Sequence, residues 1–440
     1  MPETAKGEVI YKDALDFVTS DRFDIIAKYL YIKSLNLNYD TDFFLNLYKE
    51  HLNAFSLGGF SEGGNDNKNN FDDFLRIFKE LYNVLKNKGM DEKKSLIPVA
   101  NGNLIMDGAH RVAISSYFKQ KVPCILFNGN GYKYTPFFFK ERGLSQELTE
   151  YALMEHINLT KEEDIHVMIF WPVGTLNRDK LQKALNQLAK RVNIIYWGEY
   201  GATYKLCRNL AILSYLGEDW IGTDDNNYIG GDLHAEGTFY AHKSIVTVYF
   251  KHGDLDEVLK IKEEIRNILG LAKKSCHITD TPEEAKRLAR ALLTKTSRYF
   301  LSYGKPGFIK NVMKNLRSMQ KKLDVLGIPR EDYIFDTGSV LALYGIRPTN
   351  DTDILIRDKY VKKMRENNVE IHNGDIPLYG KTLDDLIMNP KNYFYVNDMK
   401  CLTLENILKL KYNRHNKPYQ DPIKDISDFK LIESFLMNHQ

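Results

Sequence analysis

Cysteine is scarce and scattered. The 440 residues contain four, Cys124, Cys207, Cys276 and Cys401, with no Cys-x-x-Cys pair among them. That spacing argues against a zinc knot or a disulfide framework and for reduced thiols in a cytoplasmic protein. Long apolar runs are missing too: none approaches the roughly 20 residues that cross a bilayer, so no membrane span is expected. The opening MPETAKGEVIYKDALDF lacks the charged-then-apolar layout of a signal peptide. Nor is there charge of one sign. Lys and Arg number 61 against 58 Asp and Glu, a net +3, which makes nucleic acid an unexpected partner, because its binders ordinarily carry a clear basic excess. No repeat recurs at a fixed period. What is present is apolar material: 43% hydrophobic residues, 12% of the chain aromatic, excludes wholesale disorder. The length exceeds one ordinary core and predicts two or three domains.

The pattern predicts an α/β multidomain protein in three parts, residues 1–148, 149–303 and 304–440. The first opens with helical text (FDIIAKYLYIKSL, FFLNLYKEHL). A glycine-rich polar stretch, Ser56–Asn70, separates this from the helix FDDFLRIFKELYNVLKNKGM, with Asp72 and Asp73 in its first turn and Gly89 at its end. SLIPVANG reads as a strand, HRVAISSYF as a helix and VPCILF as a buried strand. In the middle part, strands (HVMIFWPV, VNIIYWG, KSIVTVYF, CHITD) alternate with helices, as in a layered α/β domain. The last part places strands YIFDTGS and TDILIRD between helices.

The sharpest motif is IFDTGSVLALYGIRPTNDTDILI. Gly338-Ser339 ends a strand and opens a helix, where backbone N–H groups can approach a phosphate. Asp351 and Asp353, two residues apart at the mouth of the next strand, are expected to point to one face. Two such carboxylates repel unless a divalent cation lies between them, and Mg²⁺ is commonly held by one or two carboxylates plus substrate phosphates. These residues resemble the nucleotidyltransferase superfamily related to DNA polymerase beta, over about the last 135 residues. The resemblance implies a nucleotidyltransferase-like α/β domain in which Gly338 and Ser339 bind the phosphates of an ATP or CTP-like donor. It further implies that Asp351 and Asp353 hold magnesium, with a third catalytic carboxylate, Asp375 or Glu370, farther along. Lys424, Asp425 and Asp428 look like the closing Lys-Asp helix of the branch that transfers phosphocholine-type groups to surface glycans, with Lys424 on phosphate.

A second motif lies in IPVANGNLIMDGAHRVAISSYF. Asp107-Gly108 forms a tight turn, and His110 and Arg111 open a helix, a placement suited to an anion. The segment resembles the ParB/sulfiredoxin-like fold, an α+β module whose members bind nucleotides and include small-molecule kinases. Asp107, His110 and Arg111 then become phosphate-binding candidates. The Gly-rich stretch Ser56–Asn65 would close over phosphates, with Glu62 as a base. In the middle part, Asp232, His234, Glu236 and His242 are concentrated in GGDLHAEGTFYAHKS, with His234 and Glu236 at strand spacing. Lys262 and Arg266 read as a solvated, salt-bridged helix face, His277 as structural, and the aromatics Tyr132–Phe139 as packing for a domain interface.

Together these readings predict a magnesium-dependent transferase that moves a phosphoryl, nucleotidyl or substituted phosphate group from a nucleotide to a small acceptor. A glycan or glycan precursor of surface polysaccharide biosynthesis is the preferred acceptor. The alternatives are a kinase centred on the first part, a nucleotidyltransferase toxin acting on RNA, and a non-enzymatic nucleotide-sensing regulator.

Overall fold

A computed structural model describes residues 8–37, 42–61, 68–367, 369–415 and 422–439. It is a mixed α/β protein with three four-stranded sheets, divided into two compact units, Met1–Ile165 and His166–Gln440. Among the described residues no helix is long and apolar enough to cross a membrane. All four cysteines are buried free thiols, and burial pushes Cys207 up to about 12.

In the first unit the strands β1 (Ile10–Asp13), β2 (Ile97–Asn101), β3 (Leu104–Ile105) and β4 (Lys121–Asn130) form a sheet of order β1-β4-β2-β3. β4 pairs antiparallel with β1 and parallel with β2, and β2 and β3 make a hairpin. The helix Phe71–Lys88 begins and ends where its caps dictate. Asn70 Oδ1 accepts from the Asp73 N–H at 3.0 Å, and Gly89 stops the helix at φ +65°. Helices Asp24–Asn36 and Ala109–Tyr117 pack together, and the core beneath them joins Ile25, Tyr31, Tyr48, Phe78, Ile97 and Val112. The aromatics expected at a domain interface pack within this unit instead: Phe139 is fully buried and its ring lies 4.8 Å from that of His51. The unit runs past residue 148 through the helix Gln146–Leu159, because Thr160 Oγ1 donates to the Val18 carbonyl at 3.2 Å and Lys161 pairs with Asp16 at 2.9 Å.

The second unit holds two sheets. β5 (Ile165–Phe170), β6 (Asn193–Gly201), β7 (Ser244–Lys251) and β8 (Cys276–Ile278) are ordered β6-β7-β5-β8. The helices Arg178–Arg191 and Leu255–Leu269 cover this sheet through Leu181, Leu188, Val258, Ile261 and Ile265. The second sheet, order β10-β9-β12-β11, consists of β9 (Tyr333–Phe335), β10 (Ile354–Ile356), β11 (Tyr393–Val396) and β12 (Met399–Leu402). No boundary separates the expected second and third parts at residue 303. The helix Lys295–Tyr303 lies on β11, where the Ser297 hydroxyl accepts from the Tyr395 N–H at 2.9 Å and Phe300 stacks on Phe394 at 4.6 Å.

Candidate functional site

The Gly-Ser corner forms where β9 runs out. Asp336 caps the short helix Thr337–Leu343, its carboxylate accepting from the Thr337 N–H at 2.6 Å. Thr337 takes φ +35°, a conformation a β-branched residue adopts only at a cost of order 1–3 kcal/mol. Gly338 follows because nothing larger fits: a Cβ there would stand 2.4 Å from Thr349 Oγ1 and 3.8 Å from Asp353 Oδ2. Ser339 donates to the Asp351 carbonyl at 3.3 Å, so its hydroxyl fastens the loop that carries the aspartates.

β9 and β10 are antiparallel, with Phe335 opposite Ile354, and the Asp336 N–H reaches the Asp353 carbonyl at 3.0 Å. Beyond that bond β9 has turned into helix and offers no ladder partner, so β10 starts at Ile354 rather than at Asp351. The period-two argument therefore does not apply to this pair: Asp353 is buried and Asp351 is exposed. Asp353 Oδ2 accepts from the Thr337 hydroxyl, and Oδ1 lies 3.2 Å from His372 Nε2. The other ring nitrogen of His372 is 3.9 Å from Asp336 Oδ2. Asp336 is fully buried, and burial pushes its carboxyl up to about 6, against the opposing pull of Tyr379 and His372.

Of the two carboxylates expected to complete the site, Asp375 is paired with Arg414 and Glu370 is exposed. The acid that the fold links to Asp353 through His372 is Asp336. Lys424 is exposed in the first turn of the helix Pro422–Met437, next to a buried network. There Lys411 holds Asp425 at 2.8 Å and Asp428 at 2.9 Å, and Asp428 holds the Arg347 guanidinium at 2.5 Å. The Asp428 hydrogen bond keeps Arg347 charged, and Asp353 and Asp351 reinforce it. Arg347 thus supplies positive charge beside the aspartates. Among the described residues no group of three or more His, Cys, Asp or Glu side chains is arranged to hold a metal ion. Two carboxylates alone fit magnesium only where substrate phosphates complete its shell.

The first unit brings its motif residues to the wall of a cavity of about 570 Å³. Gly108, at φ +89°, makes the predicted turn, and a Cβ would collide with Ile97 and Arg111. Arg111 is largely engaged, pairing with Asp107 at 3.0 Å and donating to Ser95 Oγ. His110 Nε2 meets Tyr48 Oη at 2.9 Å, and burial, aided by Lys28 and Lys68, holds its ring neutral. His110 is therefore no cationic anion clamp. The charge comes from residues that the apolar periodicity concealed: Arg22, Lys28 and Lys68, all buried, line the same cavity. Arg22 grips the buried Asp24 with bonds of 2.8 and 2.9 Å, and Lys28 reaches Asp24 Oδ2 at 3.4 Å. Asp24 and Lys28, four apart amid apolar residues, were the available sequence signal. Gly58 and Gly59 belong to the glycine-rich stretch, whereas Glu62 lies outside the described residues.

The middle-part expectations change most. GGDLHAEG is not a strand but the helix Ile229–Thr238. Gly230 and Gly231 let that helix approach the Trp220 carbonyl and Ile212, where Cβ atoms would stand 2.0 and 2.9 Å away. On a helix His234 and Glu236 point apart; Glu236 is exposed and Asp232 pairs with Arg208 at 3.0 Å. Lys262 and Arg266, expected on a solvated face, are buried, while His277 pairs with Glu284 at 2.7 Å. His242 sits in a turn at φ +61°. No known protein family, curated protein or solved structure matches this chain.

Proposed function

We propose that the chain transfers a phosphorus-containing group, nucleotidyl, phosphoryl or substituted phosphate, from an ATP or CTP-like donor to a small acceptor at the Gly338–Asp353 corner. The observation that carries this reading is the close approach at Gly338, where a Cβ would stand 2.4 Å from Thr349 Oγ1, the hydroxyl bonded to the Asp351 backbone, and in contact range of Asp353. Backbone N–H groups, two aspartates and Arg347 then share one edge of the sheet. Asp351 and Asp353 would hold the magnesium, which when bound neutralises charge on the donor phosphates. Arg347, fixed by Asp428, adds electrostatic stabilisation of the leaving group. His372 Nε2, bonded to Asp353, positions that carboxylate, whereas Asp375 is held by Arg414. A glycan or glycan precursor in the cytoplasm is the preferred acceptor, on the resemblance to phosphocholine-type transferases.

Thermal unfolding of the full chain with each of the four common nucleoside triphosphates, with and without magnesium, tests this. One nucleotide is expected to raise the melting temperature only when magnesium is present. A ligand at roughly 100 times its Kd adds about 2.7 kcal/mol, a shift of several degrees. Asp351→Asn, an exposed substitution, should abolish that shift without lowering the unliganded melting temperature. A shift that ignores magnesium, or survives Asp351→Asn, would count against the site.

The cavity of the first unit favours a second reading, binding of a phosphate-bearing ligand there, with kinase chemistry as its extension. Arg22, Lys28 and Lys68 bring positive charge to the wall of one cavity, together with Asp107, Gly108 and Arg111.

A further inference from the structure

We infer that a cleft in the second unit, walled by the helices Tyr204–Ser214, Ile229–Thr238, Leu255–Leu269 and Pro282–Leu292, binds a small phosphorylated molecule bearing a flat ring, a nucleoside monophosphate in class. The cleft measures about 790 Å³. It is separate from the Gly338–Asp353 corner and shares none of its residues.

One wall is cationic. Lys262, Arg266 and Arg287 contribute from helices, and Lys273 and Lys274 stand exposed at the rim. Lys262 and Arg266 are each 8% exposed. Lys262 donates to the Ile278 carbonyl at 3.0 Å and to Asp280 at 3.1 Å. Arg266 reaches Glu263 at 2.6 Å and the Cys276 carbonyl at 3.4 Å, but its buried Nε has no hydrogen-bond partner among the described residues. Three carboxylates line the cleft: Glu218 is exposed, and the other two are engaged. Glu284 binds His277 at 2.7 Å and the Asp280 N–H at 2.9 Å, and Asp280 is on Lys262. Five cations on one wall, Lys262 and Arg266 nearly buried with Arg287, Lys273 and Lys274 beside them, are a site for an anion of more than one charge.

The opposite wall is aromatic. Tyr215 and Trp220 lie 4.9 Å apart, and the His234 ring is 6.1 Å from Trp220 at an interplanar angle of 28°. Burial pushes His234 down to about 4, so its ring is neutral. Trp220 lines the cleft and is 47% exposed. The two walls meet at Tyr215, 4.8 Å from His277. Stacking on such rings tolerates any base, because every base has a π-face. An anion held at Arg266 with a ring laid on Trp220 uses both walls; inorganic phosphate uses one.

The test is calorimetric titration of the full chain with adenosine, guanosine, cytidine and uridine 5′-monophosphates, with inorganic phosphate and adenosine as controls, followed in parallel by tryptophan emission. At least one nucleotide is expected to bind at least tenfold more tightly than phosphate or adenosine, and to quench Trp220 emission. Lys274→Glu and Trp220→Leu, both at exposed positions, should each weaken binding roughly tenfold, about 1.4 kcal/mol, with the circular dichroism unchanged. Asp351→Asn should leave this binding intact, which separates it from the transfer site. Three results would overturn the inference: no heat with any of the four nucleotides at about 5 mM, phosphate binding as tightly as the nucleotides, or affinity indifferent to both cleft variants.

Discussion

Asp24→Asn is expected to destabilise the first unit by about 3–5 kcal/mol, the usual result of removing one partner from a buried ion pair. Asn keeps the shape of Asp but loses the charge and turns one of the two accepting oxygens into a donor, so the effect reads out electrostatics and hydrogen bonding rather than packing. Burial would raise the Asp24 carboxyl, but Arg22 and Lys28 overcome it and hold Asp24 well below the usual carboxylate range. Without the carboxylate, those two buried cations face each other and Lys68 in the same cavity. The pH dependence follows from the direction of the shift. A depressed folded-state pKa means that the stabilisation is complete above the unfolded value, about 3.9, and disappears as pH falls through the lower, folded one. Urea unfolding should therefore show wild type and variant far apart at pH 7 and converging only in strong acid. Because the variant cavity loses its buried carboxylate, sulfate or phosphate should stabilise Asp24→Asn more than wild type. Equal stabilisation by these ions would show that the cavity does not take anions.

Gly338→Ala should damage the second site through geometry. The new Cβ would sit 2.4 Å from Thr349 Oγ1, and Thr349 has little freedom to yield, since its hydroxyl donates to the Asp351 carbonyl at 3.2 Å and accepts from the Asp351 N–H at 3.3 Å. Turning Thr349 away releases the loop that carries Asp351; leaving it in place forces the backbone apart. Overpacking of this kind costs about 1–3 kcal/mol, and donor binding should weaken along with it. Thr349→Ala removes the colliding oxygen. The double variant should recover much of the lost stability but not the affinity, because the hydroxyl that fixes Asp351 is gone. Denaturant unfolding and nucleotide titration of the two single variants and the double variant complete the cycle. Full recovery of both quantities would mean that the Thr349–Asp351 bonds matter neither for folding nor for donor binding.

The elements of this fold were legible wherever local physics decides them. Asn70 and Gly89 bound one helix, Thr281 caps another by accepting from the Glu284 N–H at 3.2 Å, and Gly108 makes its turn because a side chain has no room there. The two-residue step of His234 and Glu236 suggests a strand, whereas the segment is the helix Ile229–Thr238, whose Gly230 and Gly231 permit close packing against Trp220 and Ile212. The buried roles of Lys262 and Arg266 were hidden for a similar reason: alternating charge resembles a wet surface until the strand β8 carbonyls that they bind are known. At the Gly338–Asp353 corner the Gly-Ser and Asp-x-Asp residues could be picked out from spacing. Asp336 and His372 could not, because they are joined to Asp353 only by the closure of β9 on β10 and by the His372 N–H bond to the Ile354 carbonyl at 2.9 Å. The charged cluster Arg22–Asp24–Lys28 fell inside text whose periodicity already explained a helix.

Asp351 and Asp353 either share a cation with a nucleotide or they do not, and manganese, a paramagnetic substitute for magnesium, reports this directly. Electron paramagnetic resonance of Mn²⁺ titrated into the full chain with the nucleotide selected by thermal unfolding should show bound metal only when protein and nucleotide are both present. With Asp351→Asn the signal should return to that of manganese–nucleotide free in solution. Bound manganese that persists unchanged in Asp351→Asn, or a spectrum that the protein never perturbs, would contradict the account.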